Sequence, residues 1–306
     1  MIVVSEMMHP DGLSALSGHI VQYDPDLYQD RPRLKMMLAR ATGLIVRNRT
    51  RVDGDLLDAA PQLRAVGRLG VGLDNIDTEA LQDRRISLVV PYGANAVAVA
   101  EYVMAALLTV RRRIAEQSLA VRAGIWDRKG VQHQLQARTL SVLGYGATGQ
   151  AVVRRAEAFG MEVRVYDPYA PRVPDRLRVR DWDSLLKNAD YLTLHAPLTS
   201  ETRHCINRST LRQLPARAIL VNTARGELID EQALVEALEH GRMGGAILDV
   251  REQEPPGPSD PLARYPNVWL TPHIAGLTVE AQQAIAVTVA SRVGELAGKL
   301  GFTRGS

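Results

Sequence analysis

The stretch TLSVLGYGATG, residues 139–149, decides the fold. A run rich in Leu, Val and Thr gives way to Gly144, Gly146 and Gly149, and a helical pattern then continues through about Phe159. A strand, a glycine turn and a helix in that order form a phosphate cradle. Gly144 permits the tight turn, Gly146 lets the backbone approach a pyrophosphate, and Gly149 allows the helix to lie close to the strand. The opening residues of the helix, Ala147 and Thr148, turn their N–H groups and the positive end of the dipole towards the phosphates. The next run, EVRVYD (162–167), ends at Asp167. A carboxylate there accepts hydrogen bonds from ribose hydroxyls and repels a 2′-phosphate, so the expected cofactor is NAD rather than NADP.

Outward from this stretch, strand-like runs alternate with helical patterns in both directions. Upstream they are IVVS (2–5), HIVQY (19–23), GLIVR (43–47), LRAVGR (63–68) and ISLVV (86–90), separated by helical stretches near 30–40, 53–60 and 77–84. A long helix is predicted from about Asn95 to Arg113, ending in three arginines that suit a helix C-terminus. Downstream runs are YLTLHA (191–196), AILVNT (218–223), GAILDV (245–250) and NVWLT (267–271), with a last helix over about 278–299. This rhythm predicts βαβ units around parallel sheets.

Composition agrees. The chain has 306 residues, 46% of them hydrophobic and 23% charged, a globular rather than a disordered balance. A net charge of +3 without a long basic tract gives no nucleic-acid footprint. The longest apolar region, 94–110, is broken by Glu101 and is too short to span a bilayer, so no membrane partner is expected. The N-terminus lacks the pattern of a signal peptide. The single cysteine, Cys205, provides neither an internal disulfide nor a metal cluster, and a cytoplasmic location with no metal is expected.

Polar residues collect where the later strands end, which is where ligands bind in open α/β sheets. Arg225 lies in NTARG (222–226), Glu254 in DVREQEP (249–255) and His273 in TPHIAG (271–276). Reduction of a carbonyl by hydride needs a proton donor for the oxygen, and histidine titrates in the useful range. A neighbouring carboxylate orients the imidazole and favours its charged form. An arginine fork grips an α-keto carboxylate.

Together, GYGATG with Asp167, LHAPLTSETRHCIN (194–207), NTARGELID (222–230), DVREQEPP (249–256) and TPHIAG resemble the NAD-dependent D-2-hydroxyacid dehydrogenase family. The similarity extends upstream through GANAVAVAEYV (93–103) and GRLGVGLDNID (67–77). It implies an α/β fold of two Rossmann-like, doubly wound parallel-sheet domains with the active cleft between them. The expected division is 1–96 plus 275–306 for substrate and 97–274 for NAD. The resemblance makes His273, Glu254 and Arg225 the catalytic group. It places His195, Pro197, Thr202, Thr223, Ala224, Asp249 and His273 against the cofactor, and the Val71–Gly72 backbone at the substrate carboxylate. It also implies a homodimer formed through the cofactor domain, with the long helix at the interface. One departure is Ala147, where relatives often carry a longer side chain, so phosphate contacts are expected to rest on backbone N–H groups.

The segments VRNRTRVD (46–53), GRLGVGLDNID and YDPY (166–169) are similar to the phosphoglycerate dehydrogenase and sulfolactate dehydrogenase branch. That resemblance implies a small substrate with a second anionic group, for which Arg47, Asn48 and Arg68 are candidate ligands. No acidic residue lies within several positions of Arg47 to neutralise it. The alternatives are a broad-specificity glyoxylate/hydroxypyruvate reductase and, in another class, an NAD-sensing corepressor-like interaction protein. The absence of extended disordered tails speaks against the latter.

Overall fold

The computed structural model describes residues 1–298, and the end of the last expected helix falls outside them. Among these residues the chain forms two units, Met1–Asn95 joined by the chain from Leu277, and Ala96–Gly276.

In the first unit five parallel strands, β1 (Ile2–Val4), β2 (Val21–Tyr23), β3 (Gly43–Val46), β4 (Ala65–Arg68) and β5 (Ser87–Val89), stand in the order β2-β1-β3-β4-β5. Strands β1 and β3 are wholly apolar or glycine and buried on both faces, as a sheet covered by helices on either side requires. Helices Arg31–Leu38, Gly54–Asp58 and Thr78–Asp83 connect successive strands, each opened by an aspartate (Asp30, Asp53, Asp77) whose carboxylate accepts a first-turn N–H. The last helix, Val279–Gly298, returns to this sheet, where Ile285, Val289 and Val293 pack with Ile2, Ile45 and Ala65.

The second unit holds six parallel strands: β6 (Thr139–Leu143), β7 (Glu162–Tyr166), β8 (Tyr191–Leu194), β9 (Ile219–Asn222), β10 (Gly245–Leu248) and β11 (Val268–Leu270). Their order is β11-β10-β9-β8-β6-β7, so the winding reverses between β6 and β8. A doubly wound sheet binds its ligand at that reversal, beyond the carboxyl ends of the strands. Helix Ala96–Arg112 buries Ala100, Val103, Met104 and Leu107 in a core shared with Val152, Val153 and Ala156 of helix Ala147–Ala158. The arginines at its end are not all solvated: Arg111 lies 4.9 Å over the buried Tyr191 ring and donates to its hydroxyl. Helices Trp182–Leu186 and Arg208–Gln213 are too short to show an apolar period, whereas Glu231–Glu239 buries Ala233, Leu234, Ala237 and Leu238 along one face; each opens on a capping residue, Asp181, Asn207 or Asp230. Cys205 packs beside the core of this unit, and burial pushes its thiol up to about 11. No helix among the described residues is long and apolar enough to cross a membrane.

Candidate active site

Gly144 follows β6 at the reversal of the sheet. Its φ of +92° lies in the left-handed region, and a Cβ there would stand 2.7 Å from the backbone carbon of His195 at the end of β8. Any side chain at 144 therefore collides with the neighbouring strand. A Cβ at Gly149 would stand 2.2 Å from the Gly144 carbonyl oxygen, so the helix can meet the turn only through glycine. Gly146 differs: a Cβ there would touch nothing within 4 Å. Gly146 caps helix Ala147–Ala158 without a side-chain hydrogen bond, leaving the amides of Ala147 and Thr148 at the positive end of the dipole. This open cradle fits a dinucleotide pyrophosphate. Asp167, beyond β7, accepts from the backbone N–H groups of Tyr145 (2.7 Å), Tyr169 (2.9 Å) and Ala170 (3.0 Å). Those three contacts fix its carboxylate beside the glycine turn. The buried Thr223 Oγ1 has no hydrogen-bond partner among the described residues, a donor and acceptor left for a bound group.

The loop after β8 is shaped by its own hydroxyls. Thr202 Oγ1 donates to the Pro197 carbonyl (2.7 Å) and accepts from the Thr199 N–H (2.8 Å). The ring of His195 lies 3.0 Å from the Thr193 hydroxyl, and desolvation pushes its pKa down to about 4. At neutral pH this histidine is uncharged.

After β9 the buried side chain of Asn222 accepts from the Ala224 N–H (3.0 Å) and donates to the Arg225 carbonyl (2.7 Å), pinning the loop that carries Thr223, Ala224 and Arg225. Beyond β10, Asp249 is buried and works within the chain. Its carboxylate accepts from the Thr271 hydroxyl (2.6 Å) and from the N–H groups of Ile274 and Ala275 (2.8 Å each), while its carbonyl accepts from the His273 N–H (2.8 Å). Tyr102 contacts the same Thr271 hydroxyl at 2.6 Å. These bonds hold His273 at a φ of +57°, a conformation that costs a non-glycine residue roughly 1–3 kcal/mol. Imidazole Nδ1 then lies 2.8 Å from Glu254 Oε2. The carboxylate and the histidine paired from the sequence are thus in direct contact.

In the first unit the loop after β3 carries Arg47 and Asn48, while Arg68 ends β4 and Val71–Gly72 follow it. The buried Glu6, far away in sequence, accepts from the backbone N–H groups of Arg47 (2.8 Å), Asn48 (3.1 Å), Arg49 (3.0 Å) and Thr50 (2.9 Å). Four consecutive amides curl around one carboxylate at the β1/β3 reversal of this sheet, and Asn75 ties the Arg47 and Thr50 carbonyls from the other side. The Arg47 guanidinium lies outside this backbone network. Arg68 donates to the Leu69 carbonyl at 2.9 Å. Arg49, a loop charge, reaches the Tyr28 hydroxyl.

Residues 104–275 match the family model described as D-isomer specific 2-hydroxyacid dehydrogenase, NAD binding domain. An (S)-sulfolactate dehydrogenase of Chromohalobacter salexigens is 40% identical over 93% of this chain and 94% of its own length. A D-3-phosphoglycerate dehydrogenase of Methanocaldococcus jannaschii is also 40% identical, over 97% of this chain; the match spans 58% of that longer protein. The solved structure of a glyoxylate reductase from Paecilomyes thermophila is similar with a TM-score of 0.85 at 28% identity, covering 97% of this chain and 95% of that one.

Proposed function

The chain belongs to the D-isomer-specific 2-hydroxyacid dehydrogenases, NAD-dependent oxidoreductases of CH–OH groups, and from that premise we propose that it interconverts a small 2-hydroxy acid and its 2-keto acid through His273, Glu254 and Arg225. The observation that carries this reading is the 2.8 Å contact between His273 and Glu254 in the unit that holds the dinucleotide cradle. Bound NAD(H) would supply or take up the hydride at C2 of the substrate. In the reducing direction protonated His273 gives the Nε2 proton to the carbonyl oxygen as it becomes an alkoxide. Glu254 keeps the opposite nitrogen occupied and offsets the positive charge. The Arg225 fork holds the substrate carboxylate and draws electron density from the carbonyl. The helix amides of Ala147 and Thr148 hold the pyrophosphate, and Asp167 the ribose.

The substrate in this proposal carries a second anionic group, a C3 sulfonate or phosphate, taken by Arg47 and Arg68 with Asn48. The names of the two relatives at 40% identity support it. The glyoxylate reductase likeness supports the competing reading, a broad-specificity reductase of simple keto acids. The comparison that separates them is kcat/KM for D-lactate, D-glycerate, D-3-phosphoglycerate, both sulfolactate enantiomers, glyoxylate and hydroxypyruvate. A charge-assisted contact contributes about 1.5–3 kcal/mol. Arg47→Ala and Arg68→Ala are therefore expected to cost the dianionic acid roughly ten- to a hundredfold and to leave D-lactate almost unchanged. Equal efficiency on D-lactate or glyoxylate in the unmodified protein would reduce the substrate to a simple keto acid.

The working form in this reading is a cytoplasmic homodimer built on the second unit. Helix Ala96–Arg112 spends its buried face inside its own unit, whereas helix Ile114–Arg122 and the segment after it expose Ile114, Leu119, Ile125 and Trp126. Trp126 is 78% exposed, and a second copy of the chain would cover this apolar set. Sedimentation at micromolar concentration should give a dimer, and Trp126→Glu with Leu119→Glu should shift it to monomer. A monomeric unmodified protein would remove the dimer from the proposal.

A further inference from the structure

Arg251 stands between two of the site's loops, and neither the fingerprint nor the His–Glu pair explains why an arginine should be buried there. Only 8% of the residue is exposed. Its Nε and Nη2 donate to the two carboxylate oxygens of Glu231 at 2.8 Å each, and Nη1 and Nη2 donate to Asp260 at 2.5 and 2.9 Å. Both carboxylates are planted on fixed elements. Glu231 is the first residue of helix Glu231–Glu239, and Asp260 caps the short turn Pro261–Arg264 by accepting from the Leu262 N–H. Only a planar fork can meet two carboxylates at once in this way. Arg251 is thereby cross-linked to two separate pieces of scaffold.

The backbone of the same residue reaches the reacting groups. The Arg251 N–H donates to Glu254 Oε1 at 3.0 Å, while the other oxygen of Glu254 faces His273. The next N–H, of Glu252, donates to Glu231 Oε1 at 3.0 Å, so the scaffold carboxylate grips the loop as well as the guanidinium. Two other charged groups on this loop have partners of their own: Glu252 faces His204 at 2.5 Å, and Asp249 holds the amides of the His273 loop.

We propose that Arg251, clamped by Glu231 and Asp260, is the positioning residue that sets the Glu254 carboxylate on His273. It touches neither substrate nor cofactor and acts through the loop it anchors. This rests on the reading of His273 and Glu254 given above, and the experiment separates the two. In keto-acid reduction the rate falls as pH rises and His273 loses its proton. A misplaced Glu254 supports the imidazolium less well, so the fall moves to lower pH.

The pH profile of kcat for reduction is measured for the unmodified protein, Glu254→Gln, Arg251→Lys and Arg251→Met. Glu254→Gln is expected to move the fall to lower pH by about one unit. Arg251→Met should move it in the same direction by roughly half as much and lower kcat about tenfold at neutral pH. KM for NADH should change less than threefold, on the order of the scatter between variants. Arg251→Lys, which keeps the charge and loses the fork, should lie between Arg251→Met and the unmodified protein. Should Arg251→Met fail to fold because Glu231 and Asp260 are left facing each other, the triple variant Arg251→Met, Glu231→Gln, Asp260→Asn removes that repulsion and is read in the same way. A merely structural loss scales the rate at every pH and leaves the fall in place; that result in the Arg251 variants, with Glu254→Gln still shifted, overturns the positioning role alone. A fall that Glu254→Gln itself leaves in place overturns both the positioning role and the reading of the pair.

Discussion

His273→Ala is expected to lower the rate of keto-acid reduction about 10²- to 10⁴-fold while NADH affinity, read by quenching of protein fluorescence, stays within a few-fold. The magnitude follows from what the residue does. An alkoxide forming at C2 without a proton donor must wait for water, and positioned general acids typically contribute two to four orders of magnitude. Neither His195 nor His204 can take over. His195 is held near 4 by burial and carries no proton to give at neutral pH, and His204 is already engaged with Glu252. The variant should therefore also lose the part of the pH dependence that the proposed general acid gives to the rate. Retention of turnover within a few-fold, or an unchanged pH profile in the alanine variant, would identify a different acid.

Much of this site is legible in the sequence because its parts are local. The glycine turn needs a strand before it and a helix after it, and both announce themselves within a few residues of Gly144 and Gly149. Arg225, Glu254 and His273 each sit at the end of a short apolar run, so the placement of strands also places them. What escapes is pairing over distance. Glu6 meets amides that are 41 to 44 positions away, and nothing in MIVVSEMM says which loop will need a carboxylate. Arg251 reads as one of the four charged residues in DVREQEP, because Glu231 and Asp260 lie 20 and 9 positions off on separate elements. Asp249 illustrates another limit. Its carboxylate meets Thr271, Ile274 and Ala275, 22 to 26 positions on, and nothing beside it in the sequence announces them. Periodicity registers burial and turns, but it carries no information about which buried charges will share a loop.

Gly226→Ala should be the most damaging single methyl group that can be added to this unit. A Cβ at position 226 would stand 1.9 Å from the backbone carbon of Arg251, 2.0 Å from its oxygen and 2.3 Å from the Glu252 nitrogen. Contacts below 3 Å with backbone cannot be relieved by turning a side chain, so one of the two loops has to move by about an ångström. Neither loop is free to do so. Arg251 is fixed by Glu231 and Asp260, and the 222–225 loop is fixed by the two hydrogen bonds of Asn222. The strain should destabilise the protein by roughly 1–3 kcal/mol, a fall in melting temperature of roughly 2–4 °C for each kcal/mol in a unit of this size. Activity should suffer more than stability, because the displacement falls between Arg225, which follows β9, and the loop that carries Glu254. A misplacement near 1 Å can cost about a hundredfold in rate, and the loss should appear in kcat as well as in KM for the keto acid. Gly257→Ala is the control: it lies on the same stretch of chain, and a Cβ there meets nothing within 4 Å. If Gly226→Ala matched Gly257→Ala in both melting temperature and kcat, the close approach of the two loops would not be what holds Arg225 and Glu254 in register.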